Sequence, residues 1–363
     1  MEVYIRNMEL SVFKKENDII QQRALFKECF PETKGTSIEK KNHYLWKFHS
    51  FPSHPLSYEY AAFFGTDLVG YYAALPYPYI IKGNLAKAGM VCDVMTGVAA
   101  RGMGVFTKMG IYATEKMKNE DIEFTTGFPI RQEVIPGHIK AGWHKMFSLP
   151  LYMNFLSTKS LLRSKKIKSL VPILDLLLNL YNYLFSLFQK DKSYDVSLIS
   201  SLELESILDF DSFIESWVKE HEIALNKNTL FLKWRLTAPG KKYKIVLARR
   251  NNKILGYAVF CSIVKENVPS IAILDISCLK NHKKLSSTII AHIQEYAREC
   301  KAEVLMMMAS KHVSKLHGLS KIGFLRSPYK FLLIIKNLKN NYASSFLKNE
   351  KNWHLTWIDT DDL

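Results

Sequence analysis

The stretch VCDVMTGVAARGMGVFTKMG, residues 91–110, has a counterpart later in the same chain, ILDISCLKNHKKLSSTI at residues 273–289. Each contains an apolar run around one aspartate, Asp93 or Asp275. The likeness extends outward on both sides. YLWKFHSFP from Tyr44 resembles FLKWRLTAP from Phe231, LVGYYAAL from Leu68 resembles ILGYAVFC from Ile254, and HIKAGWHKM from His138 resembles LSKIGFLRS from Leu319. The order is the same and the spacing nearly so, with 49 residues from Asp93 to Gly142 and 48 from Asp275 to Gly323. A repeat of this length means one structural unit used twice.

The unit reads as mixed α/β. YEYAAFFGTDLVGYYAALPYPYII is two aromatic and β-branched strands joined by a Gly-Thr-Asp turn. AGMVCDVMTGVA is an apolar run with little alternation, as in a strand buried on both faces. VFTKMGIYATEKMKNED then places Phe106, Met109, Tyr112 or Ala113, and Met117 at helical spacing. IEFTTGF is another short strand, and RQEVIPGHIKAGW begins as a helix, bends at Pro136 and Gly137, and ends at Gly142. The expected fold class is therefore α/β with a mixed sheet, in two copies.

Composition narrows the partners. Fifty Lys and Arg against 34 Asp and Glu leave a net charge of +16, which favours an anionic partner: nucleic acid, an acidic membrane surface or a phosphorylated small molecule. Cys29, Cys92, Cys261, Cys278 and Cys300 form no CxxC pair and no metal-ligand spacing, so the reading is a reduced, cytoplasmic protein with no metal. The N-terminal MEVYIRNMELSVFKKEND lacks the apolar run of a signal peptide.

Between the copies lies KSLVPILDLLLNLYNYLFSLFQK, from Lys168. Asp175, Asn179, Asn182 and Ser186 would form one polar stripe on an otherwise apolar helix, which argues against a membrane span. Lys165, Lys166 and Lys168 precede it; Lys190 and Lys192 follow. Two readings stand: a helix lying in the surface of an anionic membrane, or, favoured, an inter-domain helix packed on protein with its polar stripe in water.

The second copy has SCLKNHKKLSSTI where the first has TGVAARGMGVFTK, and it contains no glycine there. A strand, a Gly-containing turn and a helix start form the geometry in which backbone N–H groups and the helix dipole converge on an anion. Here Gly102 and Gly104 permit close approach and Arg101 adds a fixed charge.

These residues resemble the GNAT N-acetyltransferase superfamily, whose acyl-CoA pyrophosphate loop reads Q/R-x-x-G-x-G/A after a central strand and at the head of a helix. Arg101, Gly104 and Phe106 stand at its marked positions, with Phe106 in place of a small residue. Thr96 resembles the threonine of the T-x-P-x-Y-R run, with Val98 in place of the proline, and the GFPI run from Gly127 resembles the GFPN of tandem acetyltransferase-like proteins. The resemblance implies that Val94, Met95 and Thr96 offer main-chain groups to the pantetheine arm. It also implies that the N–H groups of Gly102, Met103, Gly104, Val105, Phe106 and Thr107 hold the pyrophosphate.

In the superfamily's Y-x-K-x-G-F, the tyrosine is the general acid for the departing thiolate; this chain has His138 there, and Leu319 in the second copy. His138 is therefore either that acid or a packing residue. Asp93 and Glu133 are the candidates for a general base, with Asp275 in the second copy suggesting instead that Asp93 pairs with a basic neighbour.

The expected organisation is an N-terminal GNAT-like domain over 1–155, a basic helical insert over 156–215, a degenerate GNAT-like domain over 216–340 and a tail over 341–363 that is either a docked strand or loose. The implied function is acyl-CoA-dependent N-acyl transfer, with acetyl-CoA as co-substrate and a small-molecule amine as acceptor in the cleft between copies. By analogy the acceptor is an amino sugar or a surface-polysaccharide intermediate. Two other readings are an aminoacyltransferase resembling the FemAB type, for which the charge suits RNA but the retained glycines do not, and a non-catalytic CoA-binding or membrane-surface scaffold.

Overall fold

The computed structural model describes residues 8–159 and 171–362, without the side chains of residues 15, 17, 179 and 181–187. The first half runs β1 (Met8–Val12), α1 (Lys15–Cys29), α2 (Lys41–His49), β2 (Tyr58–Phe64), β3 (Asp67–Ile81), β4 (Asn84–Thr96), α3 (Val105–Asn119), β5 (Phe124–Gly127), α4 (Ile135–Lys140) and β6 (His144–Phe155). Helix α5 (Val171–Gln189) follows. The second half runs β7 (Asp195–Ser200), α6 (Phe210–Val218), β8 (Ile223–Leu225), α7 (Thr229–Leu236), β9 (Tyr243–Arg250), β10 (Lys253–Lys265), β11 (Val268–Cys278), α8 (Leu285–Glu299), β12 (Val304–Met308), α9 (Lys311–Leu316), β13 (Leu325–Asn337), α10 (Ser344–Lys348) and β14 (Trp353–His354).

The expected strands and helices of the unit are present in both halves, and they share one mixed sheet. Its order is β1-β2-β3-β4-β5-β13-β6-β12-β11-β10-β9-β7. The two halves exchange their last strands: β13 pairs antiparallel with β5, while β6 pairs antiparallel with β12. The linear division at 155 and 216 is thus crossed by the sheet itself.

Alternation along the strands builds the core. Tyr71 and Ala73 point to one face, Tyr72 and Ala74 to the other. On the second face α3 lays down Val105, Met109, Ala113 and Met117, and burying each methionine is worth about 1.5–3 kcal/mol. Phe106 and Tyr112 of the expected stripe are only half-buried. Helix α8 covers the equivalent face of the second half in a core of its own, whereas the opposite face is one continuous core shared by both halves.

In that shared core, Trp46 of α2 and Trp234 of α7 stack at 5.1 Å and 7°, each indole donating to the other's carbonyl at 2.8 and 3.1 Å. The tail is docked here. Strand β14 pairs with β8, which in turn pairs with β3, and Trp353, His354, Thr356 and Trp357 are buried.

The insert helix differs from the favoured expectation. Asp175 faces the protein, accepting hydrogen bonds from Ser157 Oγ and from Thr158 N and Oγ1 at 2.9, 2.5 and 2.7 Å. Among the described side chains of the helix, Pro172, Ile173, Leu176, Leu177, Leu180 and Phe188 are exposed. The carboxylate satisfies the turn after β6, and that requirement points the opposite, apolar side outward. The side chains of Asn179, Asn182 and Ser186, and Lys165, Lys166 and Lys168 altogether, lie outside the described residues.

Candidate active site

Strand β4 pairs with β3 as far as Thr96, opposite Gly70, but with β5 only as far as Val91, opposite Gly127. On the β5 side, residues 92–96 therefore present a main-chain edge with no strand beside it among the described residues. A bulge sits in this segment: the register passes from Ala73↔Cys92 to Tyr71↔Met95, and Asp93 takes a left-handed φ of 47°. An extended ligand can add to such an edge as a further strand. Val94, Met95 and Thr96 lie on it, and the Thr96 hydroxyl is buried with no hydrogen-bond partner among the described residues.

The chain then turns away. Gly97 N donates to Val69 O at 2.9 Å, Val98 N to Glu28 Oε1 at 2.5 Å, and Arg101 Nε to Thr96 O at 3.4 Å. Gly102 and Gly104 adopt φ of 79° and 77°. A Cβ at Gly102 would meet nothing within 4 Å, and one at Gly104 only Lys108 Cε at 3.9 Å. Among the described residues little else approaches these two positions.

Helix α3 begins at Val105 with no side-chain cap, and Lys108 N, on Gly104 O at 3.0 Å, makes the bond that closes its first turn. The N–H groups of Val105, Phe106 and Thr107 lie ahead of that bond, at the positive end of the helix dipole. Arg101 is exposed beside them, and a helix start of this kind is able to accept an anion. The Phe106 ring packs edge-on against His138 at 4.9 Å, and a Cβ on Gly137 would sit 2.7 Å from it.

The three candidate acid–base residues are held differently. His138 is buried between Phe106 and Trp143, at 4.9 and 5.3 Å, and burial pushes its imidazole down to about 4. It is neutral at pH 7, without an imidazolium proton to give. Asp93 is 2.8 Å from Lys47 Nζ, which also reaches Asp361 at 3.1 Å. Burial opposes the Asp93 carboxylate, yet Lys47, with Arg23 and His43, holds its carboxyl below the ordinary value. Glu133 is exposed in the turn before α4. No hydrogen bond or ion pair joins these three.

The basic neighbour expected for Asp93 is Lys47, but the sequence did not indicate which cation it would be, nor the rest of the network. Lys47 comes from α2 and Asp361 from the tail, while Glu59 nearby accepts from Tyr44 and Tyr71 at 2.5 and 2.6 Å and from Ser57. The recurrence of Asp93 as Asp275 was the available signal. Asp275 is likewise paired with a lysine, Lys227, at 2.7 Å, and with the tail through Thr356. Cys92, Asp93 and Asp361 also lie at metal-ligand spacing, but the Lys47 ammonium stands among them.

In the second half the equivalent helix start is closed. Lys284 is the left-handed residue before α8, with φ 60°. Its ammonium donates to Phe188 O, Gln189 O accepts from Ser287 Oγ at 3.0 Å, and Asp191 N donates to Thr288 Oγ1 at 3.0 Å. The end of the insert is thus bonded to the side chains around this helix start.

Residues 13–144 match the family model described as an acetyltransferase (GNAT) domain. Among curated proteins nothing matches. Solved structures similar in fold include a GCN5-related N-acetyltransferase from Anabaena variabilis, 12% identical over 92% of this chain and 73% of that one, with a TM-score of 0.66. A protein from Enterococcus faecalis described as a probable N-acyltransferase is 10% identical over 92% and 73%, at 0.61. A tandem GNAT protein from the clavulanic acid biosynthesis pathway is 12% identical over 92% of this chain and 99% of that one, at 0.58.

Proposed function

We propose that this chain, whose residues 13–144 match the GNAT acetyltransferase domain and whose fold is similar to that of a tandem GNAT protein, is a GNAT-type N-acyltransferase that takes its acyl group from acetyl-CoA and binds it in the first half alone. The observation that carries the reading is the juxtaposition of two features. One is the unpaired β4 edge at residues 92–96; the other is the open glycine cradle at the start of α3.

Bound acetyl-CoA would supply an activated thioester carbonyl, with its pyrophosphate on the N–H groups of residues 102–107 and Arg101, and its pantetheine along Val94, Met95 and Thr96. The amine attacks that carbonyl, the carbon–sulfur bond breaks, and the thiolate leaves. Holding amine and carbonyl together supplies most of the acceleration. Of the two base candidates, Glu133 is the one with no ion pair among the described residues, and we assign it the proton of the attacking amine, directly or through water. Asp93 keeps Lys47 in place on the acceptor side. His138, neutral, fixes Phe106 and so the start of α3; the thiolate takes its proton from solvent.

The acceptor is an amine. An amino sugar or a surface-polysaccharide intermediate fits the net charge of +16, and the absence of CxxC pairing fits a cytoplasmic setting. Calorimetric titration with acetyl-CoA, repeated on Gly104→Glu, tests the donor. Acetyl-CoA that fails to bind the unmutated protein overturns the reading, and equal binding by the variant moves the site elsewhere. Binding without turnover on any amine tried would favour the scaffold reading.

A further inference from the structure

Helix α5 presents an apolar face that the rest of the described chain leaves uncovered. Ile173, Leu176, Leu177 and Leu180, spaced by three, one and three, are 59, 69, 58 and 53% exposed, and Phe188 on the same side is 74% exposed. The opposite side, Val171, Leu174, Asp175 and Leu178, is half-buried. The helix lies across α8, held at its far end by the bonds to Lys284, Ser287 and Lys321 O. Among the described residues no helix is long and apolar enough to cross a membrane.

Cations stand at both ends of this face. Near its C-terminal end are Lys192, Lys283, Lys284 and Lys321, all exposed. Near its N-terminal end a cavity of about 480 Å³ is lined by Lys159, Arg298 and Lys301, together with Asp175 and Glu303. The Asp175 carboxylate there is already taken by Ser157 and Thr158, and Arg298 Nη2 is buried without a hydrogen-bond partner among the described residues. Acidic groups are also close: Glu295 is paired with Lys190 at 2.6 Å, and Asp191 stands 3.8 Å from Arg250. The uncompensated charge at each end is positive.

We infer that this face docks the protein on an anionic phospholipid surface, with the leucines in the acyl–headgroup boundary, the flanking lysines on the headgroups, and the Arg298 cavity taking a headgroup phosphate. An interfacial helix has this division of one apolar side and basic flanks. A second copy fits less well. Because both ends are cationic, pairing the helix with itself brings like charges together whether the two run parallel or antiparallel, whereas an anionic surface matches both ends at once. The inference does not rest on the acyltransferase reading.

Flotation of the full chain with vesicles of phosphatidylglycerol in phosphatidylcholine, against phosphatidylcholine alone, tests it. The protein is expected to float with the anionic vesicles and to be released as salt rises. Leu176→Ser with Leu180→Ser should weaken binding by at least about ten-fold, and Lys283→Glu with Lys321→Glu by about ten-fold. Both pairs are exposed, and an unchanged circular dichroism melt confirms folding. No flotation overturns the inference, as does equal binding to neutral vesicles or leucine variants that bind like the unmutated chain. A concentration-dependent dimer that the leucine variants abolish overturns it in favour of a second copy. Acetyl-CoA titration of the same variants should be unaffected, so this failure and failure of the acyltransferase reading are separable.

Discussion

Helices α3 and α8 begin on almost the same backbone. Gly104 precedes one with φ 77° and ψ 5°, and Lys284 precedes the other with φ 60° and ψ 1°. In both, the N–H four residues on bonds back to the carbonyl, at 3.0 and 2.8 Å. A left-handed residue before the helix is therefore tolerated with a side chain, and the glycine is not there for the turn alone. What differs is the space. Around Gly102 and Gly104 no described residue closes in; around Lys284 the carbonyls and an N–H group of the insert's end bond to the side chains of the helix start. The same turn geometry thus leaves room for a ligand in one half and is tied to the insert in the other.

The pairs beneath the two loops give the largest expected effect. Lys227 and Asp275 are fully buried, so Asp275→Asn should leave the ammonium with only the longer, 3.5 Å contact to the buried Asp359 and cost about 3 kcal/mol in urea unfolding. Asp93→Asn should cost less, because the Asp93 side chain is 12% exposed and Asp361 remains beside Lys47. Equal costs would break the ranking. Next is Gly104→Glu, expected to weaken acetyl-CoA binding by about 100-fold, or ~2.7 kcal/mol, in calorimetric titration while the protein still folds, since Lys284 shows the conformation is attainable.

Buried imidazoles predict the acid limb of stability in both halves. Burial lowers His138 to about 4, His317 to about 4 and His221 to about 3. Their unfolded forms take up protons below the ordinary 6.5 while the folded forms do not, so stability is full above that pH and falls as pH drops toward 4. Each histidine contributes up to about 1.4 kcal/mol per pH unit in that window, measurable as a falling Tm. His138→Phe should flatten its share and leave the pH profile of kcat unchanged, with kcat itself altered by less than about three-fold. A lost basic or acidic limb would reinstate His138 as an acid. The smallest effect is Lys284→Gly, for which no second molecule of acetyl-CoA should appear in the titration.

Much of the fold was legible. The alternation of β2 and β3, the long apolar β4 and the spacing of Met109, Ala113 and Met117 all became the elements they indicated. Helix α1 was not, because Gln22 and Arg23 occupy buried positions and blur its apolar period. The lysine partners were hidden for a different reason. Lys47 lies within α2, whereas Lys227 lies ahead of α7, so the repeat puts the two cations out of register. The insert's apolar period was plain, but not its direction; Asp175 turned it.

The sequence by itself determined that one α/β unit is used twice and that only the first copy keeps glycines before its helix, since periodicity and backbone permissiveness are local properties. Only the tertiary structure decided that β6 and β13 change places, that the tail supplies Asp361 and Thr356 to the two lysine pairs, and that the end of the insert closes the second helix start. These depend on which distant groups can satisfy one another once brought together, and strand pairing, buried charge and the direction of an amphipathic face are settled by partners far away in the chain.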